Sequence, residues 1–261
     1  MTLLVAWLSR DQNRPSSAYI AADSRISLGR HAWDHGKKVF ACKGQPWIFG
    51  FCGDVLVPTQ IVAQLVDSID SGLIIDPSAP FPAKWSAIGS FLAEGFAGAL
   101  PLRSSNPSYI LGFNRNVEKE FDCGYFTISD TRIVYTHIAI SSKNSVIVKK
   151  LGTGEAAYTH TEMQVRMNNA DVVAARVFFA AFCRTLRKNE VHSVGGAPQL
   201  ASLRTAGAGH IVPIKFGTET YHQGIKSIVS NYSGECFDES FQRIDPKTLK
   251  LKSKAQRQPL R

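Results

Sequence analysis

Strand-like segments in this chain of 261 residues arrive in blocks rather than in alternation with helices, and that order limits the folds open to it. Apolar runs over 3–8 and 18–22 flank a polar stretch and read as a β-hairpin with a long loop. Two further strands are expected over 38–42 and 47–52, after which Gly53 breaks the pattern and Asp54 can cap a helix. Helical spacing follows over 57–69 and, beyond Pro77, Pro80 and Pro82, over 85–100. Strands are expected again over 109–113, 121–128, 132–138 and 146–151, then helices over 156–167 and 171–187, then strands over 209–216 and 220–222. A doubly wound parallel sheet needs βαβα alternation, which is missing. Helices packed on antiparallel sheets, an α+β architecture, fit this order.

Hydrophobic residues make up 44% of the chain, enough for a sizeable core, yet no run is long and apolar enough for a membrane-spanning helix. The opening residues lack the basic start of a signal peptide. Five scattered cysteines without a CxxC pair fit reduced thiols in a cytoplasmic protein better than disulfides or zinc. The net charge of +9 is uneven: six basic residues and no acid fall within 246–261, leaving the rest at +3. Residues 2–245 therefore read as one domain and 246–261 as a basic, solvated, mobile tail. Nucleic-acid binding through that tail is disfavoured, because no aromatic residues interleave its charges.

Thr2 is the residue with the most chemistry in its position. Aminopeptidases remove an initiator methionine ahead of a small residue, which would leave Thr2 with a hydroxyl and a free α-amine. Such an amine has a pKa of about 8 and can act as general base for the hydroxyl beside it. Three further segments follow in order: Ala21-Ala22-Asp23-Ser24-Arg25, Gly36-Lys37-Lys38-Val39 and Gly50-Phe51-Cys52-Gly53-Asp54.

With Thr2 in front of them, these segments resemble the motif set of proteasome β-type subunits, within the N-terminal-nucleophile (Ntn) hydrolases. The match is good over 2–69 and weaker at Gly152-Thr153-Gly154 and Val194-Gly195-Gly196. The resemblance implies a four-layer αββα sandwich with Thr2 as nucleophile. It implies that Lys38 lies beside Thr2, that Asp23 keeps Lys38 charged, that the Gly53 amide donates to the oxyanion, and that Thr153 supplies a supporting hydroxyl. On this reading Lys38→Ala removes activity with little loss of stability. The family's acid ahead of its Ser-Gly-Gly motif is displaced here, so either Glu190 or Ser193 could serve that part of the network.

The implied activity is a threonine-type hydrolase cleaving peptide or amide bonds through an acyl-enzyme, without cofactor or metal. The resemblance also implies a peptide or protein substrate, a homo-oligomeric ring or stack, and an ATP-dependent unfoldase partner. Two alternatives share the same motifs: an inactive scaffold or assembly subunit, and an amidohydrolase of small molecules. Other signals fall away. Gly152-Thr153-Gly154-Glu155-Ala156-Ala157 lacks the βαβ context of a dinucleotide site. Cys52 reads as a buried strand thiol rather than a nucleophile.

Overall fold

A computed structural model describes residues 2–11, 14–99, 107–129, 132–141, 143–168, 174–228 and 231–252. The chain opens with β1 (Leu4–Asp11) and β2 (Arg14–Ala22). Both strands run into the stretch expected as a long loop, pairing as far as Asp11 opposite Arg14 across a bulge at Ser9/Arg10. A ribbon follows, β3 (Ile26–Leu28) and β4 (His31–Trp33), then β5 (Val39–Ala41) and β6 (Trp47–Cys52).

Helices α1 (Leu56–Asp70) and α2 (Phe81–Phe96) come next. Helix α2 starts one turn earlier than its spacing suggested, because Pro82 falls in the first turn, where proline is favourable. Asp54 precedes α1, and its Oδ1 accepts from the Val55 and Leu56 amides at 2.6 and 3.2 Å. Four strands follow: β7 (Ser108–Arg115), β8 (Phe121–Ile128), β9 (Ile133–Ile138) and β10 (Val146–Leu151). Then come α3 (Glu155–Met167) and α4 (Ala175–Lys188), and β11 (Gln199–Arg204). The strand expected over 209–216 is two, β12 (His210–Val212) and β13 (Ile214–Phe216), broken at Pro213, which has no N–H for a ladder. The chain ends in β14 (Glu219–His222), β15 (Ile225–Lys226), β16 (Cys236–Asp238) and β17 (Arg243–Ile244). Beyond β17, Asp245 Oδ1 accepts from the Lys247 and Thr248 amides at 2.9 Å each, and Leu251 bridges back to Ile244. Residues 253–261 of the expected tail lie outside the described residues.

The first sheet runs β10-β1-β2-β11-β12 and the second β5-β6-β7-β8-β9, both wholly antiparallel. Strand β1 is buried on both faces, which is why its sequence is a continuous apolar run instead of an alternating one. Leu4, Ala6 and Leu8 point to Ile48, Leu111 and Phe113 of the second sheet. Leu3, Val5 and Trp7 point the other way, to Tyr158 of α3 and Phe178, Phe179 and Phe182 of α4. The outer face of the second sheet packs Trp47, Phe49 and Phe51 on α1 and α2.

The expected α+β, four-layer αββα sandwich needs correction. Strands dominate the described residues, against four helices, and they fall into three five-stranded sheets and a two-stranded ribbon. A four-layer stack has no place for the third sheet, β15-β14-β13-β16-β17, in which β13 and β16 run parallel. Of its strands, β13 and β14 fall at the expected strands over 209–216 and 220–222, while β15, β16 and β17 have two or three residues each, too short for a period-2 pattern to stand out in the sequence.

Candidate active site

The register of the first hairpin sets the site. Leu4 faces Ala22, so the residues just outside the pair, Leu3 and Asp23, lie side by side. The Leu3 amide donates to Asp23 Oδ1 at 3.0 Å, and the Asp23 amide donates to the Leu3 carbonyl at 3.2 Å. Thr2, the next residue toward the chain start, is held by its own carbonyl, which accepts from the Gly154 amide at 3.3 Å. Gly152 closes on the same carbonyl. Its φ is +99°, and a Cβ there would stand 2.0 Å from Thr2 O, so only glycine fits. Thr2 is 1% exposed.

Lys38 precedes β5 and reaches inward. Its Nζ donates to Asp23 Oδ1 at 2.8 Å and to the Arg25 carbonyl at 2.5 Å, and neither Lys38 nor Asp23 has any exposed side-chain surface. The other carboxylate oxygen, Oδ2, accepts from the Arg25 and Gly195 amides at 3.1 Å each. Burial pushes the Lys38 ammonium below the ordinary lysine range, and the Asp23 charge opposes that fall. The result is a fully buried ion pair, hydrogen-bonded through Asp23 to the backbone of Leu3, the residue after Thr2.

The Lys38 carbonyl accepts from the Phe51 amide at 3.1 Å, which brings the end of β6 to the same place. Gly53 lies two residues on, with φ +111° and no room for a Cβ against the Pro107 carbonyl. The neighbouring Cys52 is buried, and burial pushes its thiol up to about 12, so it is no nucleophile. Among the described residues no His, Cys, Asp or Glu cluster could hold a metal ion.

No family model matches this chain, and no curated protein does. Solved structures do match. A Gly-1 mutant of Anbu from Hyphomicrobium sp. strain MC1 aligns with a TM-score of 0.53 and 16% identity, over 86% of this chain and 87% of its own. The fold is that of Anbu. Anbu from Yersinia bercovieri, described as an ancestral β-subunit, aligns with a TM-score of 0.53 and 13% identity over 85% and 87% of the two chains. A second Hyphomicrobium Anbu structure gives 0.50 and 13% over 85% and 88%. This finding corrects the resemblance to a proteasome β-type subunit and to the Ntn hydrolases. What the chain shares is an Anbu-like fold, and at these identities the likeness is one of fold alone. The motifs behind that resemblance are short and concentrated in the first 69 residues, so most of the chain had no part in it.

Within the Anbu-like fold the remaining expected residues separate. Thr153 lies in the turn between β10 and α3, flanked by the two glycines that touch Thr2, and its Oγ1 is 2.7 Å from Ser193 Oγ. Ser193 is buried, whereas Glu190 points outward to Lys188 at 3.7 Å. Of the two candidates for the displaced acid, only Ser193 meets Thr153. Two residues to which sequence reading gave no role hold the site together. Arg25 forms a bidentate pair with Asp34 at 2.7 and 2.9 Å and donates to Asn189 Oδ1 and the His192 and Val194 carbonyls. Buried Gln199 donates to the Asp23 and Gly36 carbonyls and accepts from the Lys38 amide at 3.0 Å. The sequence signal for Gln199 is weak, since Gln-Leu-Ala-Ser-Leu-Arg shows neither alternation nor β-branched residues.

Proposed function

We propose that this chain is a threonine hydrolase that cleaves peptide or other amide bonds through an acyl-enzyme on Thr2, once whatever precedes Thr2 is removed. The observation that carries this reading is the fully buried Asp23–Lys38 pair, tied by two hydrogen bonds, one from the Leu3 amide to the Asp23 carboxylate and one from the Asp23 amide to the Leu3 carbonyl, to the residue after Thr2. A buried ion pair is rarely a stabilising choice over apolar packing, so its place beside a candidate nucleophile needs a chemical reason.

The Thr2 amine takes the hydroxyl proton as Oγ1 attacks the substrate carbonyl. The Lys38 charge favours the neutral amine and the developing alkoxide, and Asp23 holds that charge in place. The Gly53 amide is the proposed donor to the oxyanion. The amine then passes its proton to the leaving nitrogen, and water releases the acyl group. The Thr153 hydroxyl, in the turn against Thr2 and paired with that of Ser193, orients the amine. The substrate class is a peptide or protein, and exposed Leu28 and Trp33 on the β3–β4 ribbon support assembly with further copies.

The 1% exposure of Thr2 favours a second reading for the unprocessed chain. With its amine acylated, Thr2 has no base, and the protein is an inactive scaffold. Intact-mass measurement of the protein from its own cell reads the N-terminal residue. Protein beginning at Thr2 is expected to react with an epoxyketone or β-lactone at that residue, and Thr2→Ala is expected to abolish labelling. Folded, processed protein that is neither labelled nor active on a broad peptide library would refute the hydrolase.

A further inference from the structure

Strand β1 carries Thr2 just ahead of one end and a second concentration of charge at the other. A cavity of about 630 Å³ opens where Ser9 to Asp11 of β1 meet Arg204, Arg243 and the start of α4. Four arginines line it: Arg10, Arg176, Arg204 and Arg243. Asp11 is the acid in the lining, and Glu235 pairs with both Arg204 and Arg243, which leaves two positive charges in excess among the described residues.

Arg176 is the unusual member. It is 8% exposed, yet its Nε and Nη1 have no hydrogen-bond partner among the described residues. Ser9 Oγ, in the same wall, is also buried and without a partner. Among the described residues this guanidinium has no ion-pair partner; a buried guanidinium without a counter-charge is costly, and such an arrangement persists where a ligand completes it. Helix α4 starts at this wall with Ala174 as its N-cap, no side-chain cap and no acid in the first turn. Its leading N–H groups and the positive end of its dipole thus add to the guanidinium. Tyr19 and Phe241, with ring centroids 5.2 Å apart, give the cavity an apolar side.

We propose that this cavity binds a phosphorylated small molecule, its phosphate seated between Arg176 and the N-terminus of α4. The wall offers a guanidinium fork, a hydroxyl and backbone amides, which together match a tetrahedral anion with several acceptor oxygens better than a single carboxylate. The volume exceeds what a lone phosphate fills and leaves room for an organic body against Tyr19 and Phe241. The site is separate from Thr2, which lies seven residues back along β1, roughly 23 Å away at the rise of an extended strand.

Calorimetric titration of the full chain with inorganic pyrophosphate, at physiological salt, tests this. Saturable one-site binding at millimolar concentration or tighter is expected, with a rise in the thermal midpoint. Arg176→Met is expected to weaken it by at least about tenfold. The same variant is expected to raise the midpoint of the free protein, because it removes an unpaired charge from the interior; a merely structural arginine would lower it. Arg243→Gln is expected to weaken binding by a smaller factor, and Arg30→Gln, in the exposed ribbon turn, to leave it unchanged. Absence of saturable binding overturns the proposal. So does equal binding by wild type and Arg176→Met, which would mean attraction by overall charge, or tighter binding of a poly-glutamate peptide than of pyrophosphate. If Arg176→Met does not fold, unchanged binding by Arg243→Gln overturns it.

Discussion

Replacing Lys38 by Met keeps most of the side-chain volume and removes the charge from a pair with no exposed surface. Breaking a buried pair by removing one partner costs about 3–5 kcal/mol, because the other charge is left uncompensated. Asp23 would keep three of its four donors, the Leu3, Arg25 and Gly195 amides, which places the loss at the lower end, about 3 kcal/mol. For a chain of this length that corresponds to a fall in Tm of roughly 6–12 °C. Thermal and urea unfolding at pH 7 read this directly. Asp23→Asn combined with Lys38→Met removes both charges, and the double variant is expected to lose less than the two single losses together, by about 1–3 kcal/mol. A loss below about 1 kcal/mol for Lys38→Met, with the fold intact, would show that Asp23 does not depend on the ammonium. The argument that Asp23 holds Lys38 charged for catalysis would then fail.

Two other perturbations test the surroundings. Gly152→Ala places a methyl group 2.0 Å from the Thr2 carbonyl at a φ of +99°, so the carbonyl must shift. The strain is about 1–3 kcal/mol, and the rate of probe labelling at Thr2 is expected to fall by more than the stability loss accounts for. Asp34 is held below the ordinary carboxylate range by its hydrogen bonds to Arg25. Its contribution is therefore present above the unfolded Asp pKa of about 3.9 and is lost as the pH falls through its lower folded value. Asp34→Asn is expected to be less stable than wild type at pH 7, and urea-unfolding curves of the two are expected to converge on acidification.

The parts of the molecule legible in its sequence are those with long, strong patterns. The apolar run after Thr2, the Asp23 and Lys38 motifs and the helix over 57–69 each carry a local signal. The structure places Asp23 and Lys38 2.8 Å apart. Legibility fails where burial or distance in the chain decides. Lys38 reads as replaceable with little loss of stability, whereas its complete burial against Asp23 predicts a loss of about 3 kcal/mol. Gln199 sits in a strand of weak β-formers that is fixed by pairing with β2, a contact no local pattern records. Glu190 and Ser193 could not be separated by spacing. The left-handed Asn189, with φ 50°, ends α4 and turns the chain so that Glu190 faces solvent and Ser193 faces Thr153. Of the third sheet, β13 and β14 fall at expected strands, and β15, β16 and β17 escaped because they are short.

Gly195, whose amide holds the second carboxylate oxygen of Asp23, stands 172 positions later in the chain. Arg25 grips Asn189 across 164 positions, and Gln199 reaches Lys38 across 161. During synthesis the first two sheet strands and the first helix can emerge with Thr2 already present, but the carboxylate that orients Lys38 is not yet clamped. Contacts of such sequence separation form late, after the loops between them have closed. The charge network at the start of the chain is therefore completed by residues from its last third, so a growing or truncated chain carries the proposed nucleophile without the network proposed to activate it.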